Sequence, residues 1–367
     1  MKAALFSTCR YMGPVPQDGW PVAGDSYSPE VAQNSMDVTL EQFRLADDVG
    51  FDWVTLAEHH FAPMSLNPNP MVMAGALTQV VKKAKIALLG PDIPILNPLR
   101  VAEEFAMLDT MTGGRVVAGM MRGTPNEYVT YNINPSESRA RFEEALQLIR
   151  MAWTQRQPFG WQGRYYQYRT VCIWPRPVQA PHPPIYMSGS SPESGEFAAR
   201  NRVGIGFAFT NLQNAKMAAE FYRQKAAEFG WTPDPDDVIY RIVVHVAETD
   251  EEALADLKQA MPGGRRPGGI SMANRAVEGA VHDAGYYGKD VETQRGRLIV
   301  TGALQDRIDT GQILIGSPDT VVQQIRNLHE ELGAGVLDLT LAVQLGDRTL
   351  KCIELLGERV LPAIRGL

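Results

Sequence analysis

Glu58, His59 and His60 stand together near the end of an apolar run, "GFDWVTLAEHHFAP", that begins at Gly50. Adjacent carboxylate and imidazole groups can move a proton, because the ordinary pKa of an imidazole, about 6.5, lies near neutrality and a carboxylate can orient the ring. A metal site fits the spacing poorly. Neighbouring histidines on an extended chain diverge, and the His-Glu-x-x-His pattern that brings two imidazoles onto one helical face is absent. The plainer alternative is a core histidine that satisfies its own hydrogen bonds. Along a strand Val54 and Leu56 point one way, and Thr55, Ala57 and His59 the other. The bulky apolar pair suits a layer of helices, so His59 is expected to project into the opposite space. Glu58 and His60 are expected at the rim on the other side, as orienting groups either of which could itself be the working residue.

A second set of residues points to an anion. In "GGRVVAGMMRGTPNE" an apolar run ends in Met120, Met121 and Arg122, followed by Gly123. A guanidinium in that place can offer its planar fork to a phosphate or carboxylate, or pair with an acidic neighbour. In "YMSGSSPESGEFAAR" a strand closes at Gly189, and Ser190 and Ser191 precede Pro192. Serine hydroxyls and free N–H groups at a helix start hold an anion, and Ser191 with Pro192 is also an ordinary N-cap. Arg122 and this helix start meet only if the strands that carry them are neighbours in one sheet.

The elements that must bring these groups together alternate along the chain. Eight strand segments are expected: "KAALFS" from Lys2, "DWVTLA" from Asp52, "KIALLG" from Lys85, "RVVAGM" from Arg115, "PIYMSG" from Pro184, "IGFAF" from Ile205, "VIYRIVVHVA" from Val238 and "LDLTLAV" from Leu337. Helical periodicity runs over 31–49, 99–111, 137–154, 215–229, 318–332 and 348–360. Eight strand–helix units fit a closed α/β barrel, whose chemistry gathers at the strands' C-terminal ends. An open doubly wound sheet is the alternative, but no early Gly-x-Gly-x-x-Gly turn supports a dinucleotide site. Two stretches interrupt the rhythm. Residues 157–184 are rich in aromatics and proline and read as an excursion with short extended pieces, and 261–312, with "PGGRRPGGISM", reads as either a surface loop or a lid.

Composition bounds what the site serves. With 35 basic and 42 acidic residues the formal charge is −7, without a block of like charges, which argues against a nucleic-acid or anionic-membrane surface and for small-molecule chemistry. Cys9, Cys172 and Cys352 are few and far apart, as expected of reduced thiols. The first residues hold only a five-residue apolar run, so a cytoplasmic location is expected. Met64, Met73, Met120, Trp161, Tyr165 and Trp174 could line an apolar substrate pocket, although such residues are more often core.

Four segments, "GFDWVTLAEHHF", "NPLRVAEEFAMLDTMTGGRVVAGMMRG", "PPIYMSGSSPES" and "IGSPDTVVQQIRNL", together resemble the bacterial luciferase-like flavin-dependent monooxygenases. The resemblance implies one (β/α)8 TIM-barrel domain over residues 1–367 with insertions, the later one, 261–312, as a mobile lid. It implies that His59 lies beside the flavin as a catalytic base with Glu58 and His60 flanking it. Met121 stands where luciferase has a reactive cysteine, Arg122 matches the arginine on the flavin phosphate, and Ser190 matches the phosphate-binding serine. Gly189 replaces a glutamate and Glu193 a threonine near that site, which are departures from the family pattern. The backbone at Leu89 and Gly90 would abut the flavin ring, often through a bulge or a non-prolyl cis bond. Implied with these are reduced FMN as co-substrate, O2, a small organic substrate, a separate NAD(P)H:flavin reductase and a homo-oligomer of two or more chains. A deazaflavin-dependent hydride-transfer enzyme and a non-catalytic flavin-binding protein are the alternatives.

Overall fold

The computed structural model describes residues 1–14, 20–208, 210–260 and 304–367. Among them the chain forms β1 (Lys2–Ser7), β2 (Trp53–Leu56), β3 (Lys85–Leu88), β4 (Val116–Gly119), β5 (Phe159–Gln162), β6 (Gln167–Val171), β7 (Ile185–Ser188), β8 (Gly204–Phe207), β9 (Val238–Val246), β10 (Ile313–Gly316) and β11 (Val336–Leu341). Eight of these pair in parallel in the order β9-β11-β1-β2-β3-β4-β7-β8, and β8 pairs back to β9. The barrel is therefore closed. In-register partners such as Phe6 with Thr55, Thr55 with Ala87 and Ala87 with Val117 run around its wall.

Helices α1 (Pro29–Val49), α2 (Pro70–Val80), α3 (Pro98–Thr112), α4 (Pro125–Thr130), α5 (Ser138–Thr154), α6 (Pro192–Asn201), α7 (Leu212–Glu228), α8 (Asp250–Ala260), α9 (Leu304–Asp309), α10 (Pro318–Leu332) and α11 (Asp347–Leu355) lie between and after the strands. Several start with the same device: Ser28, Asn69, Asn97, Ser191 and Ser317 accept from the first-turn N–H groups, and a proline with preset φ follows each. Gly50, Gly113 and Gly333 end α1, α3 and α10 in the left-handed region. Asn69, on the loop after His60, is thereby fixed as the cap of α2.

Side-chain alternation sorts the strands into two layers. Val54 and Leu56 pack outward with Phe43, Leu77 and Phe105 of the helices, whereas Ala4, Trp53, Ala87, Val117, Tyr186, Ile239 and Val336 fill the lumen. The parity read from the sequence holds for β2. Met120 falls in the outer layer and Met121 against the lumen cluster, so Met120 does not line an inner pocket. Trp174 is 83% exposed and lines none either.

All eight expected strands are present, and β10 was not anticipated. β9 outruns β8, whose pairing with it ends at Tyr240, and β10 takes up the vacant edge from Val243 to Val246. Unpaired backbone groups on a buried strand would otherwise be costly. The excursion at 157–184 contains the antiparallel hairpin β5–β6, pinned where Glu144 accepts from the backbone N–H groups of Arg164, Tyr165 and Tyr166. The expected lid lies outside the described residues as far as residue 303. Among the described residues no helix is long and apolar enough to cross a membrane.

Candidate active site

His59 leaves the end of β2 and meets a helix that starts beyond β4. The sequence "TPNE" folds as a capping box: the backbone N–H of Thr124 donates to Glu127 Oε2 at 2.8 Å, and the Thr124 hydroxyl bonds the same oxygen. The other oxygen, Oε1, lies 3.2 Å from His59 Nδ1. Burial alone would raise the Glu127 pKa, but the His59 hydrogen bond and charge and the two Thr124 bonds outweigh it and hold the carboxyl below its ordinary value. An ionised carboxylate only accepts, so His59 Nδ1 carries the proton of that bond. In the neutral ring Nε2 is then the basic nitrogen, and the side chain keeps 16% exposure while that of Glu127 keeps none.

Glu58 and His60 do something different. His60 Nε2 lies 3.0 Å from Glu58 Oε1, both side chains are buried, and Glu58 Oε2 accepts from the backbone N–H of Asp92 at 3.3 Å. The Trp20 indole donates to the His60 carbonyl, and the Tyr131 ring meets the imidazole edge-on at 5.0 Å. The two residues, expected at the rim as orienting groups, are buried. Their polar atoms face each other and the backbone, so they brace the end of β2. Asn67 adds to the brace by donating to the Ala57 carbonyl at 2.8 Å.

Asp92 closes the same corner. It is buried, and burial, then the charges of Glu58 and Glu127, push its carboxyl well above the ordinary range. Asp92 and Glu127 are site residues that the sequence reading missed, as is Arg139 near the start of α5. The Thr-x-x-Glu capping signature marks Glu127, whereas no local pattern marks Asp92.

The residues expected to meet an anion follow β4 and β7, two and three strands away from β2. α4 ties the two halves, for Tyr128, one residue after Glu127, donates its hydroxyl to the Arg122 carbonyl. Gly123 turns there with φ +84°, and a Cβ would stand 3.1 Å from the Asp92 carboxyl carbon. Ser191 Oγ caps α6 by accepting from Ser194 N–H at 3.3 Å, and Ser190, half-buried, precedes it. Burial raises the Glu193 pKa, yet its own backbone N–H, Ser191 and the charges of Arg139 and Arg122 together hold it below its ordinary value. Two guanidinium groups therefore act on the first turn of α6. Gly189 is required by packing, since a Cβ would fall 2.8 Å from that of Ile205.

Between these halves run Leu89 and Gly90. Leu89 N–H donates to the Leu56 carbonyl, Met121 N–H to the Pro91 carbonyl and Ile93 N–H to the Met121 carbonyl, so pairing continues past the ends of β3 and β4. A Cβ on Gly90 would lie 2.3 Å from Glu58 N, so what this glycine admits is the backbone of β2. Of the two devices that the resemblance implied at Leu89 and Gly90, a bulge or a non-prolyl cis bond, the second is absent among the described residues, where Trp20-Pro21, Trp174-Pro175 and Ala180-Pro181 are cis. Leu89 and Met121 line the lumen side by side.

Residues 15–335 match the family model described as luciferase-like monooxygenase. The alkanal monooxygenase alpha chain of Photorhabdus luminescens is 30% identical over 192 residues, 51% of this chain and 52% of that one, so the match spans about half of that relative. Limonene 1,2-monooxygenase of Rhodococcus erythropolis is 27% identical over 338 residues, 89% of this chain and 81% of that one. Among solved structures, the oxygenating constituent of 3,6-diketocamphane monooxygenase from Pseudomonas putida, in complex with FMN, superposes with a TM-score of 0.76 at 22% identity over 99% of this chain and 98% of the other. An F420-dependent secondary alcohol dehydrogenase superposes with a TM-score of 0.70 at 20% identity over 99% of both chains. At those identities the superpositions speak for the barrel alone.

Proposed function

The chain belongs to the luciferase-like monooxygenase family, and from that premise we propose that it oxidises a small organic substrate with O2 and reduced FMN, which a separate NAD(P)H:flavin reductase supplies. The observation that carries the reading is the meeting of two unlike groups on one rim. The pair of His59 and Glu127 is joined through the short helix α4 to Arg122, whose charge, with that of Arg139, acts on Glu193 in the first turn of α6. The limonene and 3,6-diketocamphane relatives are monooxygenases by name, and the latter is an oxygenating constituent with FMN, which supports delegated flavin reduction.

The residues suit the cofactor. Arg122, Ser190 and the N–H groups at the start of α6 would hold the phosphate, with Ser191 fixing that helix start. Leu89, Gly90, Met121 and Gly189 would form the wall along the ring. Bound reduced flavin would supply two electrons and the activation of O2. His59 Nε2 takes or gives the proton of the oxygen-transfer step, its ring held by Glu127, while Glu58 and His60 keep the β2 end in place. Glu193 places a negative charge at the phosphate position, which Arg122 and Arg139 offset. In this reading the chain is one cytoplasmic domain that works as a homo-oligomer.

Anaerobic titration with reduced FMN and with reduced deazaflavin tests the cofactor. The reading expects saturable binding of reduced FMN at least tenfold tighter than that of deazaflavin. Tight deazaflavin binding without FMN binding would make the protein a hydride-transfer enzyme on the same barrel. Stoichiometric FMN that supports no oxygen uptake with a long-chain aldehyde, a cyclic ketone or a cyclic alkene would make it a flavin-binding protein.

A further inference from the structure

Inside the barrel lies a largely buried ion pair between two neighbouring strands. Ala4, Trp53, Val117, Tyr186, Ile239 and Val336 close the bottom of the barrel with apolar side chains. One layer above, Arg241 of β9 and Asp338 of β11 face each other in register, and Arg241 Nε donates to Asp338 Oδ2 at 2.6 Å. The second oxygen of Asp338 accepts from the Thr55 hydroxyl of β2. The guanidinium carbon of Arg241 lies 3.5 Å from the centroid of the Phe6 ring on β1, within cation–π range. Four strands thus hold one fork of donors. Withdrawing such a pair from water costs more than filling the layer with apolar residues, as the layer below does.

The pair is also unevenly covered. Asp338 has no exposure, whereas the Arg241 side chain keeps 11%. The layer below is filled by apolar side chains, so a ligand that meets Arg241 has to enter from the C-terminal ends of the strands. A guanidinium carries five N–H donors. Nε is used by Asp338, and no described residue accepts from the two Nη groups.

We propose that Arg241 recognises the ligand seated deepest in the barrel, its free Nη edge donating to a carbonyl or carboxylate oxygen of that ligand. The proposal rests on the function given above, for the ligand is either the flavin, whose pyrimidine ring carries carbonyls, or the organic substrate. Both present the same acceptor chemistry. Asp338 and Phe6 fix the edge and the face of the guanidinium, so the donors are oriented before the ligand arrives.

Three variants test it: Arg241→Lys, Arg241→Met, and the paired Arg241→Met/Asp338→Asn, which avoids leaving a buried carboxylate without its partner. Anaerobic FMN affinity is measured beside KM and kcat for a cyclic ketone and for a cyclic alkene of the same size. Loss of a charge-assisted hydrogen bond weakens binding about tenfold or more. That loss in FMN affinity assigns the acceptor to the flavin, and the same loss in the ketone KM, with the alkene KM unchanged, assigns it to the substrate. A folded paired variant with wild-type FMN affinity and wild-type constants for both substrates overturns the role of Arg241 while leaving the function intact. A wild-type protein that binds no flavin overturns the function, and this inference with it.

Discussion

Two histidine–carboxylate pairs in this molecule share a bond and differ in everything around it. His59 at the end of β2 meets Glu127 of α4 at 3.2 Å, and His245 on β9 meets Asp256 of α8 at 3.1 Å. His245 keeps 2% side-chain exposure, and Asp256 is further engaged by Arg348. Burial pushes the His245 pKa down, against the pull of Asp256. The His59 side chain, by contrast, keeps 16% exposure while its partner Glu127 keeps none. In the proposed function one histidine–carboxylate bond serves a working site and the other a structural one, and what separates the two in the structure is the exposure left to the imidazole.

The sharpest way to break this comparison is to delete both imidazoles. His59→Ala is expected to lower kcat about 10²- to 10⁴-fold with FMN affinity nearly unchanged, the range of a lost general acid or base. His245→Ala is expected to leave kcat within about twofold and to lower the unfolding free energy by about 1–3 kcal/mol, the cost of a broken buried hydrogen bond. Steady-state kinetics and denaturant melts on the same two preparations check both, and an inactive but stable His245→Ala would reverse the assignment of roles.

Next in size is the phosphate side. Arg122→Ala should weaken FMN about 10- to 100-fold and riboflavin hardly at all, because only FMN carries the phosphate that a charge-assisted bond would hold. Equal losses for the two flavins would remove Arg122 from that role. A smaller effect, about tenfold in kcat, is expected of Glu127→Gln, which keeps the shape but no longer dictates which nitrogen of His59 is protonated. Its signature is a displaced acid limb in the pH–rate profile, which a purely structural role would not move.

Acid titration of stability sharpens the same contrast. The folded-state pKa of His245 lies below its unfolded value, so the unfolded chain takes up a proton first and stability falls as pH drops through about 6.5. Glu127 is also depressed, so its contribution is present above about pH 4.3 and is lost only below it. Asp92 has the opposite sign. Its raised pKa means that stability declines as pH rises above about 3.9, where only the unfolded chain ionises. The smallest effect follows from this: Asp92→Asn should raise the melting temperature slightly, and more at pH 7 than at pH 4.

The barrel was legible because its eight strands are short apolar runs set between helices with caps, a pattern that local chemistry dictates. β10 was not, since "ILIG" is read as a strand only when the unpaired upper edge of β9 is known. In the site, strand parity set His59 apart from Val54 and Leu56 but gave no sign of its partner Glu127. The inward turn of Glu58 and His60 toward each other could not be read from it, because at a strand end the alternation gives way to contacts with Asp92, Trp20 and Tyr131. Glu127 carried a readable capping signature, but its second oxygen meets His59 across 68 positions of sequence. Arg241 and Asp338 were hidden in the same way, inside two strands that otherwise read as apolar.

The central claim, that this rim uses reduced FMN to put oxygen into a substrate, is met most directly by isotope. Reduced FMN generated by a free reductase is supplied with ¹⁸O2 and each of a long-chain aldehyde, a cyclic ketone and a cyclic alkene, and the product is weighed by mass spectrometry. One ¹⁸O atom is expected in the product of at least one substrate, formed by the wild-type protein and lost with His59→Ala. Unlabelled product, or turnover that proceeds without oxygen when reduced deazaflavin is supplied, would contradict the claim.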